Sequence, residues 1–523
     1  MALTDTRPEA GSGTVPTSAP TADRPAILLG SGDHKAIGVV YIVASLVFGV
    51  AGWVAMALWG GHQIGDQNFL SESAAATLAS SSRLGLVLLV AVPLMLGLGT
   101  YIVPLQVGAN TIAFPRAAAA ALWTWLLSSL VFVVANCIDG GIGGGRPEAV
   151  SLGLLSIIGV VLAIVIGTVS VITTAIALRT PGLTLDRAPL FSWAMVVGGS
   201  VWVLTLPVLV ANVLLIYVDH RYGAPSEYGV PAAQWEQLSW LTTQPQIFAF
   251  AIPGLGLVCD VLATLAGVRQ AQRNLLLGFI GAFGVLSIGA WVQPYFYGDA
   301  QDELVFAAMA ILILLPVLGL FGGWATTLRS GRPSLKSPIG LGIVSGLLLL
   351  LAAVAGVVYI ITPLDLRETD VYSLGMFSLV MASVLAAGAA GVMYWAPKMT
   401  GRSPADAVGK LNVLVILGGG ALAGLPLIVL GFATKYDGIA DASDALFGIS
   451  VAGDALLALG ALLVLAALVT TSHGASVDAD AWGTGQSLEW ACPSPPPPGN
   501  FGELALVRSP EPLLDAAEPA EEA

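Results

Sequence analysis

The stretch Tyr101–Arg116 reads YIVPLQVGANTIAFPR and lies between two apolar runs, 84–105 and 117–137. Each run has about 20 residues or more, which is enough for a helix that crosses roughly 30 Å of hydrocarbon. In lipid, only helices and closed barrels pair every backbone polar group, and runs of this length indicate helices. The stretch therefore joins two predicted membrane helices.

Runs of this kind recur along the whole chain and predict an all-α integral membrane protein with twelve spanning helices. Boundaries read from a sequence carry an error of a few residues. The predicted spans are 37–59, 84–105, 117–137, 151–178, 191–217, 242–268, 273–296, 305–328, 337–361, 372–396, 409–433 and 446–471.

The composition agrees with this interpretation. Of the 523 residues, 56% are hydrophobic and 10% are charged, with a mean hydropathy of +0.85, whereas a soluble domain carries roughly 25% charge. We expect a membrane domain over residues 34–472. Residues 1–33 are polar and contain no apolar core with a cleavage site, so we expect a disordered tail and not a signal peptide. Residues 473–523 predict a polar, Pro-rich and acidic tail, with a mobile end from Glu511 onward.

Charge asymmetry predicts the orientation, because cytoplasmic loops are enriched in Lys and Arg. The loops after even-numbered helices hold Arg116, Arg179, Arg187, Arg269, Arg273, Arg329, Arg332, Lys336, Lys398, Arg402 and Lys410, against Arg83, Arg146, Arg221, Arg367 and Lys435 on the other side. We therefore expect both termini in the cytoplasm, and the composition favours a bacterial plasma membrane. The outer loops are acidic. They could attract a basic soluble protein, or they are simply solvated loop tips.

The stretch Tyr101–Arg116, together with Pro397–Arg402, resembles the catalytic subunit I of haem–copper terminal oxidases. The entry segment 33–38, the loop 181–193, the run Pro253–Gly256 and the tail segment 488–509 are similar to the same family. The order and spacing of these segments imply that family's fold, with twelve helices in three arcs around pseudo-threefold pores. The resemblance also implies two haems, copper and reduction of oxygen coupled to proton pumping.

The residues that would bind those cofactors are missing from this chain. In the family, helix 6 carries His-Pro-Glu-Val-Tyr, which supplies a copper ligand, a proton relay and a redox tyrosine. Here the same place reads Gln244-Pro245-Gln246-Ile247-Phe248. Glutamine is a poor metal ligand and carries no proton at neutral pH, and phenylalanine has no hydroxyl group.

The other ligand positions show the same loss. The His-His pair of helix 7 corresponds to Gln293 and Pro294. The two haem ligands of helix 10 fall at Gly375 and Phe377, or at Phe377 and Leu379 in a shifted register. The haem ligand of helix 2 falls near Ser82 or Arg83. The chain has four histidines, His34, His62, His220 and His473, all at or outside the ends of apolar runs. Haem iron and copper favour imidazole ligands, so we expect no haem or copper.

The proton pathways and haem-propionate contacts implied by the resemblance are absent too. Thr111 stands at the aspartate of one proton channel, and Leu320 stands at the lysine of the other. Lys435 is the one base near the expected arginine pair. Met376, Cys259 and Cys137 could bind a metal in principle. A lone Met or Cys in a helix is more often packing, and three scattered cysteines make no disulfide framework.

Vacated cofactor sites must be refilled, since protein interiors are close-packed. We expect bulky side chains, lipid or another ligand there. The candidate fillers are Phe248, Phe377, Trp240, Trp291, Tyr295 and Phe296. Gln244, Gln246 and Gln293 predict a buried amide cluster that bridges helices 6 and 7, or else a polar pocket for a small molecule or water. Asp260 is either a paired structural acid or a proton or ion site.

Three functions remain open at this stage. The leading hypothesis is a non-catalytic scaffold or accessory subunit of a respiratory complex. Its partners would be the lipid bilayer and membrane subunits related to oxidase subunits II and III, with no nucleic acid. The alternatives are a terminal oxidase with unusual ligands and a transporter or channel that uses the vacated pores.

Overall fold

The computed structural model describes residues 31–65, 69–142, 144–223, 231–292, 304–364, 366 and 370–517. Within these ranges the chain is helical apart from its loops and one isolated bridge between Arg402 and Ser476. The long helices are α1 His34–His62, α2 Glu72–Gln106, α3 Pro115–Cys137, α4 Pro147–Ala177, α5 Leu190–Tyr222, α6 Ile252–Ala266, α7 Arg273–Leu286, α8 Leu304–Ser330, α9 Ser337–Tyr359, α10 Asp370–Thr400, α11 Asp406–Leu430 and α12 Ser443–Thr471.

Within the described ranges, eleven helical segments are long and apolar enough to cross a membrane, and the shorter apolar helix Ile252–Ala266 makes a twelfth. The predicted all-α, twelve-helix membrane fold is therefore confirmed. The sixth span differs from the others in its first half. There the chain forms two 3-10 segments, Trp240–Thr242 and Gln246–Phe250, before α6 begins.

Local chemistry explains where several helices begin. Asp33 caps α1 by accepting a hydrogen bond from the backbone N–H of Lys35, and Ser71 caps α2 in the same manner. These short side chains pair N–H groups that have no partner inside the helix. Pro115 and Pro147 occupy first helical positions of α3 and α4, where the missing N–H of proline does no harm.

The helix α2 contains a π-helical turn over Leu86–Ala91. Such a turn inserts one residue into an α-helix and changes the direction in which the flanking side chains point. Residues before the turn, including Ser82 and Arg83, therefore face a different side of α2 than a regular helix would give. The regular α-helix resumes at Val92 and ends at Gln106.

The helices α2 and α10 form the centre of the bundle, because their most apolar stretches are buried along their full length, whereas those of α3 and α8 are only one-third buried. Small residues permit close helix contacts. A Cβ atom on Gly38 of α1 would lie 2.8 Å from the carbonyl oxygen of Gly97 in α2. The backbones of α1 and α2 are in direct contact at this point.

The described part of the C-terminal segment, residues 473–517, is called the tail below. It packs on the end of the bundle where α1 begins and α12 ends, which we call the tail face. Lys398 Nζ donates to the carbonyls of Ala479 and Cys492, at 2.8 and 2.7 Å. At the start of the end segment that the sequence predicts to be mobile, Glu511 and Asp515 both pair with Arg269. Residues 518–523 lie outside the described ranges.

Candidate functional site

Gln244 lies at the entry to α6, in the half of the bundle away from the tail face. The side chain is buried, and its Nε2 donates to the carbonyl oxygen of Gly356 in α9, at 3.2 Å. A Cβ atom on Gly356 would lie 2.3 Å from Gln244 Oε1. The glutamine thus occupies the space beside α9 that a larger residue at 356 would close.

Gln246 is fully buried and uses both ends of its amide. Its Nε2 donates to Thr205 Oγ1 of α5 at 3.1 Å, and its Oε1 accepts from the backbone N–H of Gly289, just beyond α7, at 2.9 Å. The predicted bridge between the sixth and seventh spans is present. The predicted bonding of the amides to each other is wrong for Gln244 and Gln246, because each bonds to a different helix. Gln293 lies outside the described residues.

Phe248 fills the next position along the same segment. Its ring is buried and lies edge-on to Phe283 of α7, with 6.1 Å between the ring centroids. Gln244, Phe306 and Met309 pack around it and leave no space for a water molecule. Trp240, another expected filler, is buried as well. Trp291 is half-buried against Phe306. Tyr295 and Phe296 lie outside the described residues.

The two candidate positions on α10 are both buried. Gly375 faces α11 so closely that a Cβ atom there would lie 2.7 Å from the carbonyl oxygen of Gly424 and 2.8 Å from Ile428. Phe377 is 1% exposed, and Leu379, its neighbour in the alternative register, is fully buried. Position 375 thus belongs to a contact between two backbones, with no room for a longer side chain.

Ser82, the candidate position on α2, packs against α1 in the half of the helix that lies away from the tail face. Ser82 Oγ donates a hydrogen bond to Met56 Sδ of α1, at 3.1 Å. The neighbouring Arg83 is buried, lies over the Trp235 ring at 5.2 Å, and approaches Asp370 at 3.8 Å. This arginine holds the start of α10 next to α2.

The remaining predicted positions are dispersed. Thr111 is exposed in the loop between α2 and α3, whereas Leu320 of α8 is fully buried. Pro294 lies outside the described residues, as Gln293 does. Cys259 is buried and accepts a hydrogen bond from Trp324 Nε1 at 3.1 Å. No group of three or more His, Cys, Asp or Glu residues that could hold a metal occurs in the described ranges.

Hydrocarbon side chains occupy the space between α2 and α10. A cavity of only about 10 Å³ there is lined by apolar residues that include Trp53, Val90 and Met381. Leu94 reaches the backbone of α10, because its side chain would lie 2.4 Å from a Cβ atom on Gly388. Pockets for drug-sized ligands have volumes of roughly 300–1,000 Å³. The space that remains between these helices is smaller than that.

Asp260 lies in α6 at the tail face, and its carboxylate accepts three hydrogen bonds. Two come from the backbone N–H groups of Leu190 and Phe191 at the start of α5, both at 3.0 Å. The third comes from Gln106 Nε2 of α2 at 3.1 Å. Gln106 Nε2 also donates to Glu489 Oε1 of the tail, at 3.1 Å. Asp260 therefore connects α2, α5 and α6, and through Gln106 it connects them to the tail.

Comparison with known proteins shows to which family this twelve-helix chain belongs. The family model for cytochrome c and quinol oxidase polypeptide I matches residues 36–467. This chain belongs to the cytochrome c and quinol oxidase polypeptide I family. The "Probable cytochrome c oxidase subunit 1-alpha" of Streptomyces coelicolor is 30% identical, over 93% of this chain and 89% of its own length. "Cytochrome c oxidase subunit 1" of Corynebacterium efficiens is 28% identical, over 94% and 89%.

The resemblance of this polypeptide I chain to haem–copper oxidases implies haem and copper, so the described positions can be tested for their fit to those groups. Gln244 offers an amide already bonded to α9, Gly375 offers no side chain, and Phe377 offers a hydrocarbon ring. All four histidines lie away from these positions. His34 and His62 are the first and last residues of α1, His220 lies near the end of α5, and His473 follows α12. The residues present do not fit the ligation of haem iron or copper.

Two important residues of this family member were missed by reasoning from sequence. Glu489 belongs to a segment that supported the resemblance, yet its burial against Gln106 depends on a tail that folds back over the bundle. Arg83 was considered as a replaced ligand and as a loop base, whereas its partners Trp235 and Asp370 are far away in sequence. A buried charge next to an apolar run was the one available signal for Arg83, since such residues are almost always paired.

Proposed function

We propose that this protein is a non-catalytic member of the polypeptide I family, which serves as a scaffold or accessory subunit in a respiratory membrane complex. The observation that carries the proposal is the chemistry of the four described ligand positions. Position 82 contributes a hydroxyl group, 244 an amide, 375 no side chain and 377 a phenyl ring. None of these groups provides the nitrogen donor that haem iron and copper favour.

The packing of these positions supports the proposal. Gly375 lies against the backbone of α11, and Leu94 fills the gap between α2 and α10. A cofactor in that gap would have to displace side chains that are already close-packed, and protein interiors resist such changes of volume. The proposal therefore includes the absence of haem and copper.

Retained contacts at the tail face support a role in assembly. Asn500 of the tail donates to the carbonyl oxygen of Ala109 at 2.8 Å and also bonds His34. Trp490 Nε1 donates to the hydroxyl of Tyr394 at 3.1 Å. These bonds hold the tail and the loop after α2 in a defined shape, which could receive neighbouring subunits.

The direct experiment is purification of the protein in mild detergent, followed by a pyridine haemochrome spectrum and metal analysis. Subunit 1 of Corynebacterium efficiens, expressed in the same host, is the matched control. We expect haem and copper far below one equivalent per chain in this protein. Stoichiometric haem or copper that elutes with this polypeptide would overturn the proposal and favour an oxidase with unusual ligands.

The proposed partners are membrane subunits related to oxidase subunits II and III, in a bacterial plasma membrane. Isolation of the tagged protein from native membranes, with mass spectrometry of the stable complex, tests this part. We expect such subunits at a constant ratio to this chain. Recovery of the chain alone, after cross-linking in intact membranes, would contradict the assembly role even if haem is absent.

A further inference from the structure

Two carboxyl groups meet at the tail face through one amide. Gln106 Nε2 donates one hydrogen to Asp260 Oδ2 and the other to Glu489 Oε1, at 3.1 Å each. Gln106 Oε1 accepts from Ser192 Oγ at 2.7 Å. Because both ends of the amide are engaged, its orientation is fixed, and the two carboxyl groups are held as near neighbours.

The two carboxyl groups have very different surroundings. Asp260 receives three N–H donors, two of them from the start of α5, and the N-terminus of a helix stabilises a negative charge. Glu489 is fully buried, and its Oε2 has no hydrogen-bond partner among the described residues. An ionised carboxylate buried in this manner is costly, whereas the neutral acid is not. The geometry favours an ionised Asp260 and a protonated Glu489.

A small cavity of about 20 Å³, which is room for about one water molecule, reaches Asp260, the neighbour of Glu489 in the pair. It is lined by Asp260, Arg273, Gln486, Ser487 and Glu511, among other residues. Four of its ten lining residues belong to the tail, which also contains Glu489, so the cavity lies between the tail and the bundle. Its polar lining suits water, which needs several hydrogen-bond partners. Protons can therefore reach Asp260, one member of the pair, from the tail face.

Other titratable groups surround the pair on every packed element. Arg273 of α7 and Cys259 of α6 lie near Asp260, and Lys398 lies near Glu489. Tyr394 of α10 lies near both carboxyl groups, and Cys492 of the tail lies near Glu489. Arg273 donates to the carbonyl of Ala188, and Lys398 donates to the carbonyls of Ala479 and Cys492. Both cations are thus directed at backbone oxygens.

We propose that Asp260 and Glu489 form a proton-binding site, open to the tail face through this cavity, in which Glu489 holds the proton and Asp260 remains ionised. The site does not depend on the absence of haem or copper. Of the two interpretations of Asp260, a structural acid or a proton site, this proposal favours the proton site. Asp260 is then the charged partner, and Glu489 of the tail carries the proton.

The burial of Glu489 affects its affinity for a proton. Burial raises the pKa of Glu489 above its usual range. The folded protein therefore binds this proton more tightly than the unfolded chain does. The resulting contribution to stability is present at pH values below the ordinary carboxyl range, and it is lost as the pH rises through the raised pKa.

Infrared difference spectroscopy of the protein in lipid vesicles, titrated with pH, tests the proposal. A protonated buried carboxyl group gives a C=O stretch distinct from that of a carboxylate. We expect this band at neutral pH in the wild type, its loss in Glu489→Gln, and its retention in Glu503→Gln, an exposed tail control. In Asp260→Asn the band should disappear at a pH about one unit lower than in the wild type, because removal of a nearby negative charge eases ionisation of Glu489.

Three outcomes would overturn the proposal. They are the absence of the band from the wild type at neutral pH, its persistence in Glu489→Gln, or an unchanged pH titration of the band in Asp260→Asn. The first outcome needs no variant, so the test remains decisive even if a substitution prevents folding. None of the three bears on the haem and copper content, which keeps this test separate from that of the proposed function.

Exchange of the same band in D₂O tests the access route. Ala263 lines the cavity, so Ala263→Leu should fill part of it and slow the exchange at least tenfold. Gly418→Ala is the control, because its added methyl group meets open space on α11. Equal exchange rates in wild type and Ala263→Leu would contradict entry through this cavity.

Discussion

At the scale of single residues, Gln246 lies where the family resemblance implies a glutamate, and its neutral side chain bonds two separate spans. Its amide reaches Thr205 of α5 and the backbone of Gly289 beyond α7. Hydrogen bonds inside a membrane protein are worth a modest amount each, but a buried donor without a partner is expensive. Gln246 therefore contributes mainly by satisfying groups that would otherwise be buried alone.

Replacement of Gln246 by leucine should destabilise the protein by about 1–3 kcal/mol, because the N–H group of Gly289 would lose its acceptor. Reversible unfolding in mixed detergent micelles measures the change in unfolding free energy. Gln63→Leu, in the turn after α1, is the control and should stay within about 0.5 kcal/mol of the wild type. Equal stability of the two variants would show that the Gln246 bonds are not needed.

Single residues also mark the limit of prediction from sequence. Gln244 and Gln246 were recognised as buried amides, but their partners Gly356 and Thr205 could not be named, since nothing local in the sequence specifies them. Glu489 is a sharper case. A carboxylate in a polar tail predicts solvent exposure, and only the tertiary position of the tail places it against Gln106.

At the scale of elements, α10 and α11 approach each other through glycine. Gly375 and Gly424 face each other across the contact, and each would place a Cβ atom within 3 Å of the other's carbonyl oxygen. Close approach of this kind uses small residues to let helix backbones meet. The same feature removes a side chain at the position where the family resemblance places a haem ligand.

We expect Gly375→Ala to destabilise the protein by about 1–3 kcal/mol, as overpacking of a close contact does. The matched control is Gly418→Ala on α11, which should be neutral or up to about 1 kcal/mol more stable because alanine is the better helix former. Thermal unfolding in detergent compares the two. A neutral Gly375→Ala would mean that α10 and α11 are less tightly packed than the geometry indicates.

The tail is held to the bundle chiefly through buried contacts of α10. Lys398 is fully buried, donates to two tail carbonyls, and lies 5.3 Å from the centre of the Trp490 ring. The ring of Tyr394 stacks on that of Trp482, with 5.9 Å between the ring centroids. These contacts explain why a polar, Pro-rich segment adopts a defined course.

Lys398→Met should release the tail, because two buried carbonyls would lose their donor. Limited proteolysis, followed by mass spectrometry, should show cleavage within residues 473–499 at least tenfold faster than in the wild type. Lys410→Met is the control, since Lys410 is largely exposed and pairs with Asp406 one turn earlier. Unchanged cleavage in Lys398→Met would contradict a holding role for this lysine.

At the scale of the whole molecule, an even number of spanning helices predicts that both ends of the chain lie on one side of the membrane. The Lys/Arg distribution predicts that this side is cytoplasmic. We expect a fluorescent protein fused after residue 523 to fluoresce, and alkaline phosphatase inserted between α11 and α12 to be active. The opposite pair of results would reverse the predicted orientation.

The global architecture was accessible from the sequence because each span is encoded locally by a run of apolar residues. The sixth span shows where this fails. One continuous apolar run, 242–268, was predicted there, but the chain breaks into the 3-10 segment Gln246–Phe250 and α6. The break depends on contacts with α5, α7 and α9, which hydropathy does not encode. In the same manner, the π-helical turn of α2 cannot be derived from its uniformly apolar residues.

The bond between His34 and Asn500 joins the first residue of α1 to a residue 466 positions later. During synthesis, the ribosome delivers all twelve helices to the membrane before Asn500 emerges. The carbonyl oxygen of Ala109 and the amide of Gln106 can therefore bond to Asn500 and Glu489 only when translation is nearly complete. A nascent chain that stops early would leave these polar groups open, a signature that quality-control proteases could use to tell unfinished copies from finished ones.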